Sequence, residues 1–241
     1  MINEHRPYYI KRLHMAVQSF YTRHFVAPQL THLGHGHAIL KPWHLLIYGQ
    51  PISIGDFAHI ICTPNAQVQL TVLGKGRIEI GKHVLITPGV RMSSASMIQI
   101  GDDCMFAYNA YLTDADWHGI YHREKAIGAT APIVLGNNVW VGDSAIICKG
   151  VTIGDNSIIG AGAVVAKDIP PNSIAVGNPA RVVKELDPQI PITTRAELFR
   201  NPEQLQRELE HIDRNLLKNN SLLGWLRSKL PAGDFAPLVG L

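Results

Sequence analysis

The sequence predicts an all-β solenoid built from six-residue repeats, and three observations carry that expectation. From Leu135 to Ile169 an aliphatic residue returns at every sixth position, in Leu135, Val141, Ile147, Ile153, Ile159 and Val165. Four residues after each of these comes a second apolar or small residue, in Val139, Ala145, Val151, Ser157, Ala163 and Ile169. Gly136, Gly142, Gly154 and Gly160 follow directly on an aliphatic, with Asn137, Asn138, Asp155 and Asn156 clustered beside them. A period of six fits neither a helix of about 3.6 residues per turn nor the plain alternation of a half-buried strand. It fits a flat-sided coil in which each hexapeptide supplies a short strand and a corner, the corners favouring small residues or positive φ. One such repeat cannot bury its apolar face alone and must stack on its neighbours, which defines a parallel β-helix.

The remaining elements follow along the chain. Residues 8 to 27, with Tyr9, Leu13, Ala16, Val17, Phe20 and Phe25 at roughly helical spacing, predict a helix that caps the open N-terminal end of the coil. Ile54 and Ile60 open the six-residue rhythm; Ile80, Ile86 and Met92, then Ile100, Phe106 and Leu112, continue it with slips of phase. The slips imply widened corners, and the stretch from Asp114 to Pro132 implies one long excursion, a place where chemistry sits on a rigid scaffold. Pro188 and Pro191 mark the end of the coil. Beyond them residues 195 to 229 carry a helical stripe of Leu198, Leu205, Leu209, Ile212, Leu216 and Leu217, broken at Asn219 and Asn220. The stripe reads first as a face packed on its own protein; a subunit contact or a membrane-touching basic face around Arg227 and Lys229 is the other reading. The expected division is 1–50 for an N-terminal helical cap, 51–186 for the β-helix and 187–241 for a C-terminal helical extension.

The chain of 241 residues is long enough for one core with appendages. A hydrophobic fraction of 46% with 17% charged residues suits a stacked solenoid. The net charge of +3 favours an anionic small molecule over a nucleic acid, because no dense Lys/Arg face with interleaved aromatics is present. Cys62, Cys104 and Cys148 are too widely spaced for a disulfide framework or a zinc motif, and Cys104 reads as a buried free thiol. Residues Met1 to Tyr9 lack an apolar signal core, and no apolar run reaches about 18 residues, so a cytoplasmic location is expected. His32, His35, His37 and His44 have the best metal-like spacing, but an exposed entry loop explains them, and no metal is expected.

The stretch GNNVWVGDSAIICKGVTIGDNSIIGAGAVVAKDIPPNSIAVGNPARVV, residues 136 to 183, closely resembles the hexapeptide-repeat acyltransferases, nearest the galactoside and maltose O-acetyltransferase branch and its polysaccharide-modifying relatives. The likeness extends from about Ile52 to Leu186. It implies a left-handed parallel β-helix, an exception to the usual right-handed crossover, assembled as a homotrimer with sites between subunits and acetyl-CoA as acyl donor. The stretch IGDDCMFAYNAYLTDADWHGIYHR aligns the family's base with His118, with His122 as the fallback. Acyl transfer from a thioester needs a group that takes a proton from the acceptor and returns one to the leaving thiolate, and histidine suits both halves. Asp116 and Asp114 are candidates to hold its other ring nitrogen, which a backbone carbonyl could also do.

Donor contacts carried over from the resemblance fall on Asp143, Ala161, Ala166, Lys167 and Arg181, the two cations serving the phosphates. Asp143 and Ala166 depart from the Ser and Thr common in sugar acetyltransferases. Trp140 points outward and is a candidate groove or interface wall. On the acceptor side Arg91, Ser93 and Ser94 stand where the sugar acetyltransferases carry an asparagine, which leaves room for an acidic or differently oriented acceptor. The expected function is O-acetylation of a sugar or polysaccharide-precursor hydroxyl. The alternatives are N-acylation of an amino sugar, an acyl-carrier-protein donor, a metal-binding β-helix of the carbonic-anhydrase type and a non-catalytic solenoid; the last would have a shortened or histidine-free loop.

Overall fold

The computed structural model describes residues 4–187 and 189–229. The boundary residue Pro188 lies outside them, as do the outer ends of the two expected terminal segments, residues 1–3 and 230–241. The chain forms two compact units, one of residues 18–200 and one combining the N-terminal stretch through residue 17 with the C-terminal stretch from residue 201.

In the larger unit the strands are short and visit three sheets in rotation as far as Val164–Val165, each strand pairing with those one turn before and one turn after it. The first sheet runs from His32–Leu33 through Ile52–Ile54, Ile78–Ile80, Ile98–Ile100 and Ile133–Leu135 to Thr152–Ile153. The second starts at Ala38–Leu40 and ends at Ser173–Val176, on which Arg181–Glu185 folds back antiparallel. The third starts at Leu45–Tyr48 and ends at Val164–Val165. All other pairings are parallel and in simple register, as in Ile80 with Ile100 and Leu135 with Ile153. Aliphatic residues at both expected inward positions are buried: Val141, Ile147, Ile153, Ile159 and Val165 at 0%, with Val139, Ala145 and Ala163 beside them. Phe106, the largest fully buried side chain, fills the middle of the stack.

The corner between the first and second sheets shows how the coils hold one another. Phe57, His83, Asp103, Asn138, Asn156 and Asn172 stand there in a column with φ between 55 and 63°. Each donates its N–H to a carbonyl of the preceding coil, Asn138 to Asp102 at 2.7 Å and Asn156 to Asn137 at 2.9 Å. One residue earlier, Asp56, Asp102, Asn137 and Asp155 each accept an N–H of the preceding coil on a side-chain oxygen at 2.7 to 2.9 Å. Asn138, Asn156 and Asn172 add an amide ladder, with two steps of 3.0 Å. The positive φ therefore falls three residues after the aliphatic, not on the glycine next to it. Gly136 and Gly154 are glycines for closeness: a Cβ would lie 2.1 Å from Asp155 Oδ1 in the first case and 2.4 Å from Pro171 N in the second.

Three further observations depart from the sequence expectation. The coil begins at His32, one full turn before residue 51, because Leu33, Ile39 and Leu45 already keep the six-residue step. The helix α1 (Tyr8–Tyr21) is present, but Tyr9, Leu13, Val17 and Phe20 are exposed. It passes into a wider π turn at Thr22–Val26, and Val26 and Leu30 join the core with Ile39 and Leu45 while Gln18 accepts the Lys41 N–H at 2.5 Å. Finally, Arg195–Phe199 returns to the early coils. Its Arg195 Nε donates to the His83 carbonyl at 2.7 Å, and the Phe199 ring stacks on His83 at 5.1 Å and on Phe57 at 5.2 Å.

The smaller unit holds α2 (Pro202–Leu217), capped by Asn201, and α3 (Leu222–Arg227), capped by Ser221. Lys11 pairs with Asp213 at 2.6 Å, and the Asn220 amide donates to the Arg6 carbonyl at 3.0 Å. Of the expected stripe Leu217 is buried, whereas Leu209, Ile212 and Leu216 are exposed. No described helix is long and apolar enough to cross a membrane.

The corner column makes a testable statement. Asn156→Gly keeps the left-handed backbone and loses only the amide ladder, whereas Asn156→Val loses both. A β-branched residue in that conformation costs about 1–2 kcal/mol more, so urea unfolding should rank wild type above Gly and Gly above Val. Equal midpoints for the two variants would show that the column does not constrain the fold.

Candidate active site

The excursion from the third sheet is a two-armed ribbon. It leaves after Tyr111–Thr113, and its arms are tied by Ala131 N–H to the Asp114 carbonyl at 2.9 Å, Asp116 N–H to Ala129 at 2.9 Å and Gly128 N–H to Asp116 at 2.7 Å. The arms approach so closely that a Cβ on Gly128 would lie 2.4 Å from the His118 carbonyl oxygen. At the root, Asp116 Oδ1 accepts from Lys149 Nζ of the next coil at 2.5 Å, and Trp117 Nε1 donates to Thr113 Oγ1 at 2.9 Å.

His118 is exposed near the ribbon's far end, and its Nδ1 lies 2.9 Å from the Arg123 carbonyl oxygen. A carbonyl only accepts, so Nδ1 carries a proton, and in the neutral tautomer that this bond selects the lone pair lies on Nε2. The orienting partner is thus the backbone carbonyl, not an aspartate. His122, the fallback base, is exposed and faces Glu124 at 3.5 Å.

The two aspartates part company. Asp116 is spent on Lys149, an ion pair at the ribbon root with both side chains about a third exposed, a setting in which such pairs contribute about 1 kcal/mol or less. Asp114 is fully buried and turned into the coil: its carboxylate accepts from the Ser94 hydroxyl at 2.6 Å, Ala95 N–H at 2.7 Å and Ser96 N–H at 2.9 Å. The direct role expected of Asp114 is therefore corrected to one of holding the 94–96 turn beneath the ribbon. Ser94 is corrected with it, since at 0% exposure and with its hydroxyl engaged it offers nothing to an acceptor.

Ser93 and Arg91 do face outward on the third sheet, because Met92 and Ser94 point in. Ser93 lies in register with Thr71 and Thr113, a hydroxyl row that ends at the ribbon root. The donor candidates divide between two corners. Asp143 and Ala161 sit one coil apart between the second and third sheets, joined by Gly162 N–H to the Asp143 carbonyl at 2.7 Å, and Asp143 also accepts from the Ser144 hydroxyl at 2.6 Å. Ala166 and Lys167 are exposed just past the last strand of the third sheet. Arg181 opens the antiparallel return strand, with one guanidinium N–H on the Ala180 carbonyl at 2.8 Å. Trp140 is half exposed on the second sheet, as expected from its outward position.

Thr113, Trp117 and Lys149 escaped the sequence reading. The signal for Lys149 exists: it follows Ile147 and Cys148, and Ile147 pairs with Leu112, so Lys149 stands over the point where the ribbon leaves. Cys62 and Cys104 are buried free thiols whose pKa values burial pushes up to about 11 and about 12. Among the described residues no three His, Cys, Asp or Glu side chains converge as a metal-holding group. In the histidine run, His35 pairs with Asp56 at 2.7 Å while His37 bonds the Gly34 carbonyl at 2.7 Å.

Asp114→Asn tests the correction. An amide offers one acceptor oxygen and sets its NH2 against backbone donors, so the variant should lose about 1–3 kcal/mol in urea unfolding and expose the Ala95 and Ser96 amides to faster hydrogen exchange. Unchanged stability and exchange would return Asp114 to consideration as a functional carboxylate.

Comparison with known proteins agrees with the coil. The family model described as bacterial transferase hexapeptide (six repeats) matches residues 132–167. Galactoside O-acetyltransferase of Escherichia coli (strain K12) is 38% identical over 137 residues, which cover 56% of this chain and 57% of that protein. The chain thus spans little more than half the length of this relative. The fold is shared with AntD, an N-acyltransferase from Bacillus cereus solved with dTDP-4-amino-4,6-dideoxyglucose and coenzyme A; the TM-score is 0.56 at 19% identity, covering 79% of this chain and 96% of that one. The stacked coils of residues 132–167 match the bacterial transferase hexapeptide model, and the chain is similar to galactoside O-acetyltransferase over little more than half its length.

Proposed function

We propose that this protein is an O-acetyltransferase that moves the acetyl group of acetyl-CoA to a hydroxyl of a sugar or polysaccharide precursor. In this reading the coil is left-handed, the working form is a cytoplasmic homotrimer, and the three chain segments serve as cap, catalytic coil and helical extension. The observation that carries it is the His118 ring, held on Nδ1 by the Arg123 carbonyl so that Nε2 is the free base, on a ribbon that leaves the coil next to the repeat shared with acyltransferases. The similarity to galactoside O-acetyltransferase supports an oxygen acceptor.

The chemistry follows from that tautomer. His118 Nε2 takes the proton of the acceptor hydroxyl as its oxygen attacks the thioester carbonyl. The tetrahedral adduct collapses by breaking the C–S bond, and the imidazolium returns the proton to the departing sulfur, giving an ester and free CoA thiol. Asp116 acts at one remove, its pair with Lys149 fixing the ribbon root. Lys167 and Arg181 supply positive charge for the CoA phosphates, with Asp143, Ala161 and Ala166 along the pantetheine path.

His118→Ala should reduce kcat by ~10² to 10⁴ while the assembly mass by light scattering and the binding of CoA stay as in the wild type; wild-type turnover would remove His118 from the mechanism. Lys167→Ala or Arg181→Ala should mainly raise the KM for acetyl-CoA, with less discrimination between CoA and dephospho-CoA, because phosphate contacts act alike in ground and transition states. A collapse of kcat at saturating donor, or an unchanged preference in both variants, would place the phosphates elsewhere.

A further inference from the structure

The third sheet carries on its outer side a groove of about 520 Å³, at the corner where the second sheet turns into the third. Gln69, Arg91 and Tyr111 lie side by side on successive strands of the third sheet, and Asn65, Gln67, Asn109 and Ser144 complete its polar lining. These three strand residues face outward because their neighbours Leu70, Met92 and Leu112 are in the core. The Arg91 guanidinium lies 4.4 Å above the Tyr111 ring. A cation–π contact of this kind consumes no N–H donor, so the guanidinium keeps its donors for another partner. Among the described residues no carboxylate pairs with Arg91, and no acidic side chain lines the groove.

A concave surface furnished with amides, a hydroxyl and one uncompensated guanidinium matches a particular ligand chemistry. Amides and hydroxyls exchange hydrogen bonds with sugar hydroxyls, and a guanidinium fork takes a carboxylate or phosphate through two charge-assisted bonds. A neutral sugar would leave the charge without a partner. We propose that this groove binds an anionic sugar, one bearing a carboxylate or a phosphate, with Arg91 holding the anionic group. The proposal rests on the acyl-transfer reading only in identifying that sugar as the acceptor; the binding itself stands apart from catalysis.

Equilibrium binding on the full-length protein tests it, with glucuronate, glucose 1-phosphate and glucose as probes. At least one anion should bind saturably, at least about tenfold tighter than glucose, and Arg91→Gln should erase that advantage while Arg91→Lys keeps part of it. The exposed position of Arg91 leaves the fold intact in these variants, which a coincident unfolding midpoint checks. Which of the two anions binds identifies the source of the charge. Equal binding of glucose, no saturable binding of either anion, or unchanged affinity in Arg91→Gln would overturn the proposal. So would competition by saturating CoA, which would assign the groove to the donor's phosphates. Anion binding through Arg91 without acetyl transfer to any probe would sink the acetyltransferase reading alone, and transfer to glucose with no anion preference would sink this inference alone.

Discussion

The whole architecture depends on each coil finding its backbone partners in the coils on either side of it. Among the described residues no strand of the parallel coil has a neighbour within its own turn, so Ile98–Ile100 finds its backbone partners in the adjacent turns, pairing with Ile78–Ile80 on one side and Ile133–Leu135 on the other. Between strands the chain must turn without stranding polar groups in the stack. At the corner between the first and second sheets it does so by setting one residue per turn in the left-handed conformation, from which its N–H reaches back one coil, and by letting a preceding Asp or Asn take a further N–H on its side chain. Glycines at Gly136 and Gly154 allow the coils to close to that distance. Apolar burial then follows from the geometry, because every second side chain between corners points into the prism.

The same constraint governs where the fold admits irregularity. An extra segment can leave only at a corner, where the strand ladder is already interrupted, and its two ends must return to one register. The ribbon meets this condition through Ala131 N–H on the Asp114 carbonyl, after which Ile133 resumes pairing with Ile98. Asp114 shows how a carboxylate beside a catalytic candidate can be wholly structural. Buried charge is tolerable only when it is fully bonded, and three donors from residues 94–96 satisfy it. The orientation of His118 then falls to a backbone carbonyl of the ribbon itself, which keeps a second charge away from the imidazole.

Rigid coil and projecting ribbon divide the labour of a binding surface. The outward rows of the third sheet are fixed in spacing by the ladder, so Gln69, Arg91 and Tyr111 form one surface and Thr71, Ser93 and Thr113 another, the second leading to the ribbon root. Lys149 and Lys167 stand past the same edge in the following coils. Residues far apart in the chain thereby meet along one corner.

By itself the sequence determined the period, the inward residues from Leu135 to Ile169, and the place where the rhythm breaks to release a histidine-bearing loop. Each of these is a local property, because a repeat writes its burial pattern within a few residues. It could also have disclosed the first turn of coil at Leu33, Ile39 and Leu45, which a change of spacing after Tyr48 obscures. The tertiary structure alone decided which residue in each corner takes positive φ, that Val26 and Leu30 close the core while Phe20 stays outside, and which partners the polar residues choose. Asp114 lies two residues from Asp116, yet one faces Ser94 and the other Lys149. Partner choice depends on register between coils separated by unequal insertions, and that register is fixed by stacking across the whole prism rather than by any neighbouring stretch of chain.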